Sequence, residues 1–336
     1  MIEIRDRIKN KALHEKIMTA EAAAALIKDG MNIGASGFTP AGYPKAVPLA
    51  LAKLAKEKPL KVNVWTGASV GAEFDGALAE TNAIQKRLPY QTNDLLRKQI
   101  NSGQVQYLDL HLSHTAQMSR YGFLGGSVDI ALLEVCAIKE DGSLVPTTSM
   151  GNTASFVHSA KKVIVEVNIT QPEQLECMHD AYLPQDPPHR SYIPIHSPGD
   201  RIGRTSIPCD PDKIIAIVPC DIIDGTRPLA PIDDDAKAMS GHLIEFLQHE
   251  IKQGRLPDSP FENLSVYTEV IQDGMFDLID AGKLTIASGT SLSPSPAALK
   301  RFHSNLDKYC PKIILRPLEI ANSPEVARRL GVIAMN

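Results

Sequence analysis

A carboxylate at the junction of a strand and a helix is the first place in this sequence where chemistry is expected. Residues 264–274 read LSVYTEVIQDG. Leu264, Val266, Thr268 and Val270 alternate with Ser265, Tyr267 and Glu269, and the run is rich in β-branched and aromatic residues, so it reads as a strand with Glu269 near its end. Asp273 and Gly274 read as a turn, after which Met275, Phe276, Leu278 and Ile279 fall at helical spacing. Ligands of open α/β sheets bind beyond the carboxyl ends of the strands, and a helix N-terminus favours negative charge. Glu269 is therefore placed as an ionised, accessible carboxylate. The structural alternative is a glutamate that caps the turn or pairs with a lysine.

Rival nucleophiles and ligand sets are weaker. There is no GxSxG elbow for a hydrolase serine, and none of Cys136, Cys177, Cys209, Cys220 and Cys310 stands in a catalytic signature. Those five cysteines are scattered without a CxxC pair, and the ten histidines form neither HExxH nor a Cys/His cluster, so no metal site is expected. His111 and His114 read as capping or surface residues at a helix start. Glu134 and Glu166 end strands and read as structural carboxylates, while Asp233, Asp234 and Asp235 open a helix as its dipole favours.

The elements that must position Glu269 alternate along the chain. Thr19 can cap a helix that Gly30 stops, and MNIGAS (residues 31–36) follows as a buried strand. Further strands end at Thr66, Leu110, Val135, Val167 and Val218, with helical spacing between several of them. This order predicts βαβ units and an open, largely parallel α/β fold. Four loops of small residues sit at strand ends: SGFTPAGYPK (36–45), with a helix starting at Pro44, TGASVG (66–71), LPYQTN (88–93) and SMGNTASF (149–156). Together they favour a small polar or carboxylate ligand held by hydroxyls and amides. The first is neither a GxGxxG fingerprint nor a Walker loop. A hairpin turns at Asp141-Gly142. Beyond Asn168 the chain is rich in Pro, His and Asp up to Asp212, which reads as a functional excursion or a linker and sets the expected division into residues 1–210 and 211–336. After the Glu269 strand come strands at 284–288 and 312–317, a helix started by Ser323-Pro324 and closed by Gly331, and a last strand beginning at 332–336.

The chain has 336 residues, enough for two α/β domains, with 43% hydrophobic and 22% charged residues. A net charge of -4 without a Lys/Arg run argues against a nucleic-acid partner. No apolar run is long enough to span a bilayer and the first residues carry charges of both signs, so a cytoplasmic protein with reduced thiols and no membrane partner is expected.

YTEVIQDGM (267–275), SGFTPAGYPK, TGAS (66–69), PYQT (89–92), DLHLS (109–113) and the tail ILRPLEIANSPEVARRLGVIAMN together resemble the acetyl-CoA hydrolase/transferase family, and within it class I CoA-transferases of the succinyl-CoA:acetate and propionyl-CoA:succinate type. The resemblance implies two similar open α/β domains with the active site between them. It implies ping-pong transfer of CoA between carboxylates through a glutamyl-CoA thioester, with acetyl-CoA hydrolysis by the same glutamate as the alternative. Coenzyme A is then a substrate, no cofactor is permanently bound, and the partners are acyl-CoA, small carboxylates and a second copy in a homodimer. Carried over by motif, Glu269 is the catalytic glutamate. Ser69, Thr92 and Gly37 belong to the carboxylate-binding loops, and Asn322 and Val270 to the CoA side of the active site. The family's active-site arginine falls near Gly225 to Arg227. Two departures stand out. The Gly-rich segment that precedes the glutamate strand in the family is replaced by the short passage Leu256, Pro257, Asp258, Ser259 and PFEN. A second Gly-rich CoA loop has no counterpart before Asn336, so the second domain is expected to be incomplete.

Overall fold

The computed structural model describes residues 4–225, 233–258 and 262–331. Its strands are β1 (Asn32–Ala35), β2 (Val62–Trp65), β3 (Ile84–Leu88), β4 (Gln106–Tyr107), β5 (Ile130–Ile138), β6 (Leu144–Pro146), β7 (Lys162–Asn168) and β8 (Ile214–Cys220), then β9 (Leu264–Tyr267), β10 (Val270–Ile271), β11 (Leu284–Gly289), β12 (Ser291–Leu292) and β13 (Ile313–Leu315). The helices are α1 (Ala20–Ala24), α2 (Ala46–Glu57), α3 (Ala77–Glu80), α4 (Asp94–Asn101), α5 (Leu112–Arg120), α6 (Thr153–Ser159), α7 (Asp234–Lys252), α8 (Asp273–Asp280), α9 (Pro296–His303), α10 (Leu306–Tyr309), α11 (Leu318–Ala321) and α12 (Pro324–Leu330).

The large sheet runs β4-β3-β2-β1-β5-β7-β8, with β6 paired to β5. Every pairing is parallel except the β5–β6 hairpin, which turns at Asp141-Gly142 as the sequence predicts. All nine residues of β5 are buried. A strand covered on both faces reads as a continuous apolar run, and IALLEVCAI does so apart from Glu134. The second unit has a parallel sheet ordered β13-β11-β9 and a short parallel pair, β10 with β12. A common apolar cluster joins the two units: Val145, Leu175 and Met178 pack with Phe276, Leu292 and Phe302. Each such side chain contributes about 1.5–3 kcal/mol on burial.

Three expectations need correction. The division at 210/211 falls one strand early, because Ile214–Cys220 is β8 and completes the large sheet beside β7. The first long helix starts at Ala46 instead of Pro44, because the Glu166 carboxylate at the end of β7 accepts the amides of Lys45 (2.7 Å), Ala46 (3.0 Å) and Val47 (2.6 Å) and so fixes where the first turn begins. The strand carrying Glu269 stops at Tyr267, and α8 begins already at Asp273. The expected strand at 332–336 lies outside the described residues. Local signals elsewhere hold: Thr19, Asp233 and Ser323 accept capping bonds, and Gly331 closes α12 at φ 68°.

The Pro-rich stretch after β7 is a strap across the second sheet. Asp180 and Arg316 form a buried ion pair, and Asp180 also accepts the amides of Ile202 (2.9 Å) and Gly203 (2.6 Å). Arg316 donates to Ser288 Oγ (2.7 Å) and to the Pro198 carbonyl (3.0 Å). Next to this pair His179 donates through Nε2 to the Pro146 carbonyl (2.9 Å), and its burial drives its pKa down to about 4. A neutral buried histidine with a depressed pKa contributes stability that is complete above pH ~6.5 and is lost as pH falls through the folded value. The wild type should therefore lose unfolding free energy more steeply than His179→Gln between pH 6.5 and 4, by up to about 1.4 kcal/mol per pH unit. Urea titrations at a series of pH values measure the two slopes; parallel slopes would contradict a buried neutral His179.

Candidate active site

The sheet order places β1 between β2 and β5, so the chain leaves β1 and β5 in opposite directions. The crevice beyond such a switch point is where α/β folds bind ligands. A cavity of about 600 Å³ opens there, bounded on the first side by Phe38 and Thr39 after β1, Ala68 and Ser69 after β2, Tyr90 and Thr92 after β3, and Leu110 and Leu112 at the start of α5. Its other side is Thr268, Glu269, Val270, Gln272, Met275 and Ser293 from the second unit. Glu269 thus faces three strand-end loops across one cavity.

The main chain at Glu269 changes partner strands. Up to Tyr267, β9 pairs with β11; then the Thr268 amide donates to the Ser288 carbonyl (2.8 Å) and the Glu269 carbonyl accepts from the Thr290 amide (2.8 Å). Val270 and Ile271 then pair with Ser291 and Leu292. The half-buried Glu269 side chain accepts at Oε1 from Asn322 Nδ2 at 2.5 Å. Asn322 does not line the cavity and reaches it only through the glutamate.

The residues singled out from sequence divide accordingly. Ser69 is buried, Thr92 exposed, and both line the cavity, as does Val270. Gly37 does not line it: at φ 109° with its Cβ position 2.5 Å from Tyr43 Cβ, it sits behind the wall and lets the loop double back on Tyr43. Of the four small-residue loops, the one at 149–156 splices the two units instead of meeting the cavity. The Met150 amide donates to the Thr290 carbonyl (2.8 Å), Gly151 N to Thr290 Oγ1 (3.1 Å), and Leu318 N to the Gly151 carbonyl (2.8 Å). His111 and His114 are exposed at the start of α5 with rings 5.7 Å apart, and neither lines the cavity. Arg227 lies outside the described residues, as do Ser259 to Phe261 of the shortened passage.

Sequence reasoning missed what braces the loops. Thr39 is a β-branched residue at φ 58°, a conformation such residues rarely adopt, and its hydroxyl meets Ser293 Oγ at 2.6 Å across the cleft. Behind it lies a buried charge cluster. Lys45 Nζ donates to Glu134 Oε2 (2.5 Å), Asp224 Oδ1 (2.8 Å) and the Tyr43 carbonyl (2.9 Å). Burial raises the Glu134 pKa to about 7 against the pull of Lys45, whereas the two carboxylates outweigh the burial of Lys45 and hold its pKa well above the ordinary lysine range. Asp224 also accepts the Gly42 amide (3.2 Å), which ties the cluster to the loop carrying Thr39. The loop carrying Ser69 is held by the fully buried Arg87, which donates from Nε and Nη2 to Asp75 (2.9 Å each), from Nη1 to Thr66 Oγ1 (2.9 Å) and from Nη2 to the Ala68 carbonyl (3.1 Å). These contacts form only on folding, between residues 12 positions apart for Arg87 and Asp75 and 89 apart for Lys45 and Glu134, and no local periodicity marks them.

Residues 1–219 match the description "Acetyl-CoA hydrolase/transferase N-terminal domain". The chain belongs to the acetyl-CoA hydrolase/transferase family. It is 47% identical to the succinyl-CoA:acetate CoA-transferase of Clostridium kluyveri, over 98% of this chain and 66% of that protein. It is 39% identical to an acetyl-CoA hydrolase of Neurospora crassa (99% and 69%) and 37% identical to the propanoyl-CoA:succinate CoA transferase of Escherichia coli (95% and 70%). The chain thus spans about two thirds of the length of these curated relatives. In fold it is similar to RipA from Yersinia pestis, with a TM-score of 0.69 at 19% identity over 98% of this chain and 73% of that one. A 4-hydroxybutyrate CoA-transferase from Porphyromonas gingivalis gives a TM-score of 0.60 at 16% identity, over 94% and 71%.

Arg87→Met leaves the buried Asp75 carboxyl without its partner, so a loss of about 3–5 kcal/mol is expected. Denaturant unfolding of the two proteins checks it, and a loss below about 1 kcal/mol would mean that Arg87 does not hold the Ser69 loop.

Proposed function

We propose that the protein transfers CoA between a short-chain acyl-CoA and a carboxylate of the acetate, propionate or succinate type, with Glu269 as nucleophile. The observation that carries the reading is the placement of Glu269: a half-buried carboxylate, fixed by Asn322 at 2.5 Å, on one wall of a cavity whose other walls hold Ser69 and Thr92. A carboxylate is a poor nucleophile, but a thioester is an activated acyl group. Glu269 attacks the thioester carbonyl, the C–S bond breaks, and CoA leaves as thiolate from a mixed anhydride. The thiolate attacks the glutamyl carbonyl, the anhydride C–O bond breaks, and the acyl group leaves as a carboxylate, with CoA held as a glutamyl thioester. A second carboxylate runs the sequence in reverse. Membership of a family whose relatives include CoA-transferases supports the reading. CoA is substrate on this account, with no permanently bound cofactor, and a cytoplasmic homodimer is part of the same reading. Among the described residues no helix is long and apolar enough to cross a membrane.

Hydrolysis is the second reading. It is favoured by the similarity to acetyl-CoA hydrolases and by the exposure of Thr92 at the cavity, which leaves water a path to the same glutamyl intermediate. Initial rates with both substrates varied separate the two: parallel double-reciprocal lines indicate transfer, and thioester loss without an acceptor indicates hydrolysis.

Two substitutions test the site. In Glu269→Gln the attacking charge is gone while size and polarity remain. This variant should fold, bind CoA and lose turnover by several orders of magnitude, on the order of 10³ or more. In the wild type, acyl-CoA without acceptor should leave CoA on the peptide carrying Glu269, found by proteolysis and mass spectrometry; label on another peptide would end the assignment. Ser69→Ala or Thr92→Ala should raise the acceptor KM more than the donor KM, because a hydrogen bond to a charged group is worth about 1.5–3 kcal/mol, roughly 10- to 150-fold. Equal effects on both substrates would give these hydroxyls a structural role only.

A further inference from the structure

We infer that Arg120 is a positioning residue for the nucleophile, acting through Glu319 to hold Asn322 against Glu269. The inference rests on the reading of Glu269 as nucleophile. Helix α5 begins at the cavity, where Leu110 and Leu112 form part of the wall, and ends at Arg120, whose side chain is 1% exposed. The guanidinium grips Glu319 with both arms, Nη1 to Oε1 at 2.7 Å and Nη2 to Oε2 at 3.2 Å, and also donates to Ser155 Oγ (2.7 Å) and Asp186 Oδ1 (3.1 Å). Glu319 is itself 2% exposed at the side chain and lies in α11, four residues long, whose C-cap is Asn322.

A helix of one turn has no stability of its own, so its fastenings decide where its last residue points. Its polar fastenings include the Leu318 amide on the Gly151 carbonyl (2.8 Å), the Tyr267 hydroxyl on the Ile320 carbonyl (2.6 Å), the Arg120–Glu319 pair and the Ser155 hydroxyl on Glu319 Oε1 (3.3 Å). The first two bond to the backbone of α11, and the pair grips a side chain from the side of α5. Tyr267 ends β9 two residues before Glu269. The tyrosine therefore ties α11 to the strand of the nucleophile, and Arg120 ties it to the helix that walls the cavity. A buried ion pair adds little to stability over an apolar pair of the same shape. What the planar fork adds is a fixed orientation that a lysine, with its single ammonium, does not reproduce.

The test uses the full-length protein with Arg120→Lys, Asn322→Ala and their combination. Arg120→Lys should lower kcat about tenfold or more, with both KM values within about twofold, since small displacements of reacting groups act on turnover. In the Asn322→Ala background the same change should cost no further turnover, because the contact it serves is already gone. The crystal structure of Arg120→Lys should show Asn322 Nδ2 and Glu269 Oε1 separated beyond about 3.5 Å, outside hydrogen-bond reach. Should Arg120→Lys fail to fold, the apolar pair Arg120→Met with Glu319→Leu keeps the packing, and it should show the same loss and the same absence of additivity. A kcat equal to wild type, additive losses in the combination, or an undisturbed Asn322–Glu269 contact would each overturn the inference. If Glu269→Gln kept its turnover, the nucleophile reading would fall, and the crystallographic separation alone would then judge whether Arg120 positions Asn322.

Discussion

One hydrogen bond, from the Thr290 amide to the Glu269 carbonyl at 2.8 Å, marks where the chain leaves one ladder for another, and the site depends on that step. Had β9 gone on pairing with β11, residue 269 would be an ordinary sheet position with its backbone committed to that neighbour. Instead the ladder ends at Tyr267, and the strand resumes against Ser291 and Leu292. Segment 288–293 that receives the glutamate also receives the first unit: Leu292 N donates to the Thr148 carbonyl (2.8 Å), the Thr290 carbonyl accepts from Met150 N (2.8 Å), and Ser293 meets Thr39 (2.6 Å). The same few residues therefore fix the glutamate and lock the two units at the cavity. The relative position of its two walls is set by short backbone hydrogen bonds.

Charge is used differently on the two sides of that lock. Around Lys45 one ammonium meets two carboxyl groups in an almost fully buried place, and burial pushes Glu134 up to about 7. The cluster persists because nearly every lone pair is taken: Thr147 Oγ1 (2.8 Å) and Asn168 Nδ2 (2.9 Å) donate to Glu134, and Gln171 Nε2 (3.0 Å) to Asp224. Its product is mechanical, a loop from 36 to 45 fixed tightly enough to hold Thr39 at positive φ. The cavity itself is walled by hydroxyls and apolar groups, with Asp109 and Glu269 as the charged members among the described lining residues.

Much of the fold was legible because short-range patterns report short-range causes. The continuous apolar run of β5, the cap at Ser323 with Gly331 closing the seven-residue α12, and the Asp141-Gly142 hairpin each follow from neighbours within a few residues. β3 escaped because IQKRL carries three polar residues, and its Arg87 is a buried anchor that composition alone counts as a surface residue. The boundary at 210 failed for a related reason: an irregular, Pro-rich stretch reads as a linker, whereas here it is a strap fastened by Asp180 and Arg316, 136 positions apart. Glu269 was visible from its strand and turn, and Asn322 only from the resemblance. Nothing near Gly37 in sequence reveals that its neighbour is Tyr43's Cβ and not the cavity. Elements set by neighbours within a few residues can be read from the chain; side chains that act through contacts made only on folding, such as Arg87 with Asp75 or Asp180 with Arg316, cannot.

On the proposed chemistry the pocket must bring a carboxylate acceptor to Glu269 as a neutral thioester, so what it must supply is orientation of the incoming acid. One hydroxyl donating to a charged oxygen contributes about 1.5–3 kcal/mol. Ser69 and Thr92 stand on separate loops, after β2 and after β3, and only Ser69 is buried. Neutral donors of this strength orient an acid without retaining it, as a ping-pong enzyme requires of both its acceptor and its first product. A fixed lysine or arginine at the same place would bind more strongly, at the expense of release. The Arg87 guanidinium nearest that loop is instead fully occupied by Asp75, Thr66 and backbone carbonyls, so its charge shapes the loop and is withheld from the ligand.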